Sequence, residues 1–165
     1  MIDRRTLFAR SGSALAAVLV LGRSGAALAS PFAVTKSAAE WRRQLGPDRY
    51  RILRQAGTER AYTSPLDKER RRGRFACAGC ANPLFASTTK FDSGTGWPSF
   101  YRALPSAVVT RSDRSMLMER TEVLCARCGG HLGHLFRDGP RPTGLRYCMN
   151  GLALRFQRET RPRGE

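Results

Sequence analysis

Acidic side chains and lysine are both scarce here: 13 Asp and Glu stand against 29 Lys and Arg, and the only lysines are Lys36, Lys68 and Lys90. Five cysteines are too few for a small disulfide-built scaffold of this length. No apolar run reaches the roughly 18 to 20 residues of a spanning helix; the longest, about Ala14 to Leu21, lies between Arg10 and Arg23. No basic helix with interleaved aromatics accompanies the formal net charge of +16. That charge therefore reads as a solvated, arginine-biased surface, with no nucleic-acid partner expected and no stable membrane span. Beyond two paired cysteine motifs there is no internal repeat. What is present, 41 % apolar residues in 165, supports a modest core in one domain plus processing segments.

Residues 1–29 read as an export signal. Arg4-Arg5 sit in a basic leading segment, the short apolar run follows, and Ala27-Leu28-Ala29 fits a small-residue cleavage site. The adjacent arginines point to the twin-arginine route and hence to a periplasmic protein cut after Ala29. That route exports folded chains, so a thiolate metal site could be filled in the reducing cytoplasm before oxidation. The segment holds only Arg4, Arg5, Arg10 and Arg23 against Asp3, so the basic excess belongs to the rest of the chain. Residues 30–36 read as a flexible lead and 157–165 as a polar tail that frays.

The spacing Ser37-x-x-Glu40 predicts a capped helix ending near Gly46. Pro47 opens a second through Tyr50, Ile52, Leu53 and Ala56, stopped at Gly57. Beyond it, short apolar runs alternate with turn residues. Strands are expected at Arg74–Ala76, Pro98–Tyr101, Ala107–Thr110, Ser115–Arg120, His134–Phe136, Arg146–Met149 and Leu152–Phe156. The expected fold is mainly β: antiparallel sheet after a short helical N-terminus.

Cys77-Ala78-Gly79-Cys80 and Cys125-Ala126-Arg127-Cys128 can each present two thiolates from one tight turn. Facing each other, they would form the sulfur tetrahedron of structural zinc, closed and not itself chemical. Gly79, Gly129 and Gly130 supply the freedom of φ such turns often need. The 44 residues between Cys80 and Cys125 exceed ordinary zinc-ribbon spacing, so the site would staple distant parts of the sheet. Two disulfides, a redox pair or iron are the competing readings; no βαβ pattern supports the second.

Zinc leaves Cys148 unpaired. A buried inert cysteine is common, but Arg146-Tyr147-Cys148-Met149-Asn150 reads as a strand that puts Arg146, Cys148 and Asn150 on one face. A cation beside a thiol favours the reactive thiolate, and Asn150 can donate a hydrogen bond. The sequence has two histidines, His131 and His134, beside the second cysteine pair, where they suit acid–base work or substrate orientation.

Gly94-Thr95-Gly96-Trp97-Pro98-Ser99-Phe100, then Cys125 to Phe136, then Asp138-Gly139-Pro140 and Arg146-Tyr147-Cys148-x-Asn150 together resemble the methionine-R-sulfoxide reductases; Gly57 to Tyr62 looks like their N-terminal signature. The resemblance covers residues 37–156. It implies two antiparallel sheets in a β-tent, structural zinc on Cys77, Cys80, Cys125 and Cys128, and Cys148 as nucleophile. Trp97, with Phe136, would line an apolar pocket for the substrate methyl, and His131, His134, Arg146 and Asn150 would orient and protonate. Thiolate attack on the sulfoxide sulfur, with His134 and then His131 as the preferred proton donor, would leave a sulfenic acid. Many members place a resolving cysteine in the Gly-x-Gly-Trp segment; here the residue is Thr95. An external thioredoxin-like thiol is therefore the expected reductant of a monomeric enzyme acting on oxidised proteins or peptides. The alternatives are a zinc-ribbon binding module, which leaves the Trp97-Pro98 and Arg146–Asn150 motifs unexplained, and a zinc-stapled domain without catalysis.

Overall fold

The computed structural model describes residues 32–114 and 119–159. The chain enters on α1 (Ala38–Gln55). Ser37 and Glu40 form the expected capping box, each side chain accepting the other's backbone N–H, which satisfies donors that no helical turn can reach. At Gly46 the backbone leaves the helix (φ 70°, ψ 174°), so α1 is two helices joined at the break the sequence predicts. Pro47, with its fixed φ and missing N–H, suits the start of the second. The helix closes at Ala56 (φ 51°), one residue before the predicted Gly57 stop, whose N–H bonds the Arg51 carbonyl.

Nine strands follow among the described residues: β1 (Gly73–Cys77), β2 (Pro83–Ala86), β3 (Lys90–Phe91), β4 (Ser99–Phe100), β5 (Val108–Asp113), β6 (Arg120–Cys125), β7 (His131–Phe136), β8 (Arg146–Met149) and β9 (Leu154–Arg158). They form two sheets, ordered β2-β1-β9 and β3-β4-β8-β7-β6-β5, with every pairing antiparallel. This is the expected class: mainly β, two antiparallel sheets, one leading helix.

Phenylalanines join the sheets. Phe100 of β4 stacks on Phe85 of β2 at 4.3 Å and meets Phe75 of β1 edge-on at 4.9 Å, all three fully buried. Such pairs add about 0.5–1.5 kcal/mol beyond their buried area. Trp41, Ile52 and Leu53 of α1 complete the core with Leu132, Met149 and Leu154.

Several boundaries differ from the sequence reading. Leu152 belongs to a 3-10 turn, Gly151–Ala153, and the strand begins at Leu154. The Glu59 carboxylate takes the Gly151 and Leu152 N–H groups, which removes them from any ladder. β9 then continues through Gln157 and Arg158, and Glu159 N–H reaches the Arg72 carbonyl, so the start of the expected tail is ordered sheet. Residues 160–165 lie outside the described residues, as do 115–118 of the expected strand at 115–120 and the whole 1–29 segment. The end of the expected lead is docked: Val34 N–H bonds the Arg127 carbonyl at 2.9 Å, and Phe32 packs so tightly on Gly129 that a Cβ there would lie 2.4 Å from its ring. Among the described residues no helix is long and apolar enough to cross a membrane.

Candidate functional site

The two cysteine turns fold alike. Cys77 N–H bonds the Asn82 carbonyl and Ala81 N–H bonds Cys77; Cys125 N–H bonds the Gly130 carbonyl and Gly129 N–H bonds Cys125. The left-handed residue of each turn is Ala81 (φ 59°) and Gly129 (φ 66°). Gly79, expected to supply that freedom, is not the residue that needs it. α1 grips both turns, Gln44 donating to the Gly79 carbonyl and Arg54 to the Cys128 carbonyl.

The four sulfurs lie within 4.8 Å of one another. Cys80–Cys125 are 3.5 Å apart and Cys77–Cys128 3.7 Å. A metal about 2.3 Å from each of four sulfurs gives edges of about 3.8 Å, whereas a disulfide needs about 2.05 Å. The cluster thus fits a metal ion and not two disulfides. Gly79 N–H and the Asn82 amide point at Cys77 Sγ and Cys125 Sγ, donors that steady thiolate charge.

Cys148 sits on an interior strand. Reading across the sheet, Ser99, Cys148, His134, Glu122 and Arg111 occupy one register row on β4, β8, β7, β6 and β5. Directly opposed residues of antiparallel strands share a face, so this row projects from one side of the sheet. The register slips between Val123 and Leu124, leaving Leu132 without an opposite number in β6. That bulge turns His131 toward the same side, and its ring lies edge-on to His134 at 5.4 Å.

Each histidine is held by a carboxylate. His131 Nδ1 lies 2.6 Å from Glu122, itself paired to Arg111; His134 Nε2 lies 2.9 Å from Asp113. A carboxylate accepts, so Nδ1–H of His131 and Nε2–H of His134 are the donors in these pairs. The Nε2 of His131 is buried with no partner among the described residues. Burial lowers the affinity of His131 for a proton, with Glu122 opposing.

The thiol departs from its sequence expectation. Burial pushes Cys148 above the ordinary thiol range, outweighing the pull of the Thr95 hydroxyl, the Arg146 charge and the Ser99 hydroxyl. The Arg146 cation is present, as expected, but desolvation wins. Thr95 Oγ1 lies 3.9 Å from Cys148 Sγ, and hydroxyls link Thr95 to Ser93 at 2.8 Å and Ser93 to Ser99 at 2.7 Å. Arg146 is fixed by a two-pronged pair with Asp138 (2.7 and 2.8 Å) and stacks over Phe136, its opposite number on β7, at 4.3 Å.

Asn150 lies past the end of β8 and turns inward. Its oxygen accepts Glu59 N–H at 2.9 Å and its amide donates to the Leu132 carbonyl at 3.2 Å. The Glu59 carbonyl accepts Trp97 Nε1–H at 3.2 Å, and Met149 N–H bonds the Pro98 carbonyl, laying the Trp97 loop alongside the end of β8. Glu59 is therefore the hub that ties Trp97, Asn150 and the turn after Cys148 together. Burial raises its proton affinity. Sequence reasoning gave no role to Glu59, Ser93, Ser99, Asp113, Glu122 or Asp138. The acids carry a signal only once the register that faces them with His131, His134 and Arg146 is known.

Fold and site together define a class: an antiparallel β scaffold with a four-cysteine cluster that could hold a metal ion, presenting one further thiol beside two carboxylate-held histidines. A family profile described as the SelR domain matches residues 45–158, and the chain belongs to that family, the B-class methionine sulfoxide reductases, which are oxidoreductases. A relative from Leptospira interrogans named peptide methionine sulfoxide reductase MsrB is 55 % identical over 129 residues, 78 % of this chain and 98 % of its own. Proteins of the same name from Thiobacillus denitrificans (57 % over 122 residues, 73 % of this chain and 92 % of its own) and Methanosarcina barkeri (52 % over 128 residues, 77 % and 90 %) are also similar.

Proposed function

We propose that this chain reduces methionine-R-sulfoxide in oxidised proteins and peptides, with Cys148 as the nucleophile. The observation that carries the reading is the register row that sets Cys148 between Ser99 and His134. Trp97, two residues before Ser99, and Phe136, two residues after His134, would wall the substrate methyl. The Cys148 thiol, protonated at rest, passes its proton to Nδ1 of His134 as its sulfur attacks the sulfoxide sulfur. The S–O bond breaks, and the oxygen leaves methionine for Cys148, which becomes a sulfenic acid. His134, its Nε2–H held by Asp113, returns that proton from Nδ1 to the oxygen during transfer; His131, through its Nε2, is the second candidate by position. Thr95 and Ser99, linked through the Ser93 hydroxyl, give the thiolate hydrogen-bond donors, Arg146 gives it a counter-charge, and Asn150 positions the loop through Glu59.

Thr95 stands where a resolving thiol would be, so a thioredoxin-like dithiol outside this chain reduces the sulfenic acid and releases water. Zinc is the metal we assign to Cys77, Cys80, Cys125 and Cys128, because four thiolates at these separations close a tetrahedral site. Bound there, it supplies structural cross-linking and no reaction step. The Arg4-Arg5 pair and Ala27-Leu28-Ala29 support export by the twin-arginine route, cleavage after Ala29, and action in the periplasm as a monomer.

The test is Cys148→Ser. It should abolish turnover of a methionine-R-sulfoxide peptide while metal content stays at one ion per chain. Turnover that survives the substitution overturns the assignment.

A further inference from the structure

Glu59 also lines a groove of about 740 Å3 between α1, the loop after it and the start of β9. One wall is apolar: Leu66, Leu152, Leu154 and Phe156. Arginines supply the charge. Arg71 is already neutralised, paired with Glu69 through two nitrogens and stacked on Phe156 at 5.3 Å. Arg49 and Arg155 are different. Both line the groove, and among the described residues neither guanidinium has a hydrogen bond or ion pair. Arg49 is half-buried, and its proton affinity is depressed first by that burial and then by the charge of Arg155. Arg155 is exposed, but its charge acts on the half-buried Arg49, and an anion that joins the two would relieve that repulsion. The Glu59 carboxylate does not, since it accepts two backbone N–H groups and burial raises its proton affinity.

We infer that this groove binds an acidic segment of a protein partner, a carboxylate bridging Arg49 and Arg155 and a neighbouring apolar side chain lying on the Leu152–Leu154–Phe156 wall. An extended polypeptide fits better than a lipid surface for two reasons. The site is concave, and its volume is within the roughly 300–1,000 Å3 that encloses a compact ligand. β9 is also an edge strand, so one side of its backbone is open to an added chain. Binding here needs neither the thiol nor a sulfoxide, so it stands or falls separately from the reductase reading.

The experiment is fluorescence anisotropy on the metal-loaded chain with a fluorescein-labelled, methionine-free peptide of alternating glutamate and leucine, and with its lysine–leucine counterpart. Saturable binding of the acidic probe alone is expected. Arg49→Glu/Arg155→Glu should weaken it at least about tenfold, while Arg43→Glu/Arg102→Glu, exposed arginines elsewhere, should leave it nearly unchanged. The circular dichroism spectrum and thermal midpoint of the groove variant should equal those of the parent, which establishes that it is folded. Equal weakening by both variants, or no saturable binding of the acidic probe, overturns the inference. So does binding of phosphatidylglycerol vesicles, but not of the peptide, through Arg49 and Arg155.

Discussion

The Cys148 thiol is pulled two ways: burial holds its proton on, while Arg146, Thr95 and Ser99 favour its loss. Alkylation of the free enzyme by iodoacetamide should therefore rise with pH to a midpoint above the usual value of about 8.5. Arg146→Met removes a positive charge that lowers the midpoint, so it should move the curve to still higher pH and slow labelling at pH 8. A downward shift would show that Arg146 does not act on the sulfur by its charge. Thr95 offers a second check, because its hydroxyl is 3.9 Å from the sulfur. One equivalent of sulfoxide should leave a dimedone-trappable sulfenic acid in the parent chain. In Thr95→Cys it should leave an internal disulfide, visible as loss of both free thiols. Cys148, the histidines and Arg146 are legible in the sequence because their spacing brings them to neighbouring strands. Glu59 is not, because its partners lie some ninety residues away and are backbone groups.

At the scale of elements, the cysteine turns terminate β1 and β6 and are gripped from outside by Gln44 and Arg54 of α1. Phe32 seals the second against Gly129. A chelator strong enough to strip the site should thus unfold more than two loops. Near-UV circular dichroism should collapse as metal leaves, and restoring zinc should recover it. Retention of the full signal after stripping would mean that packing alone holds these elements. The helix cap and the break at Gly46-Pro47 were readable because capping chemistry and proline geometry are local. β2 and β3, four and two residues long, were not, because neither is long enough to show a period. The misplaced start of β9 came from a long-range carboxylate, which no pattern within Leu152–Phe156 encodes.

At the scale of the whole molecule, the two sheets are joined by Phe75, Phe85 and Phe100, and buried ionisable groups away from that joint shape the response of the fold to acid. His131 is held below its usual range, mainly by burial. Its neutral form is the one that fits the fold, so its contribution to stability is complete above about pH 6.5 and is lost as pH falls through its folded value. The urea midpoint should therefore drop between neutrality and pH 5, and His131→Gln should flatten that slope relative to the parent. An unchanged slope would assign the acid sensitivity to the thiolates instead. Glu59, with its proton affinity raised, works in the opposite direction and is not the source of such a loss.

β8 is bordered by β4 on one flank and β7 on the other, both hydrogen-bonded to it. A sulfur carried there cannot swing out on a hinge to meet a distant thiol, as one on a mobile arm does. On the chemistry proposed above, an electron donor would have to travel to the oxidised atom after each turnover, presenting its own sulfur on a tip narrow enough to reach it. The shape of that tip, as well as its redox potential, would then set which donors this chain accepts.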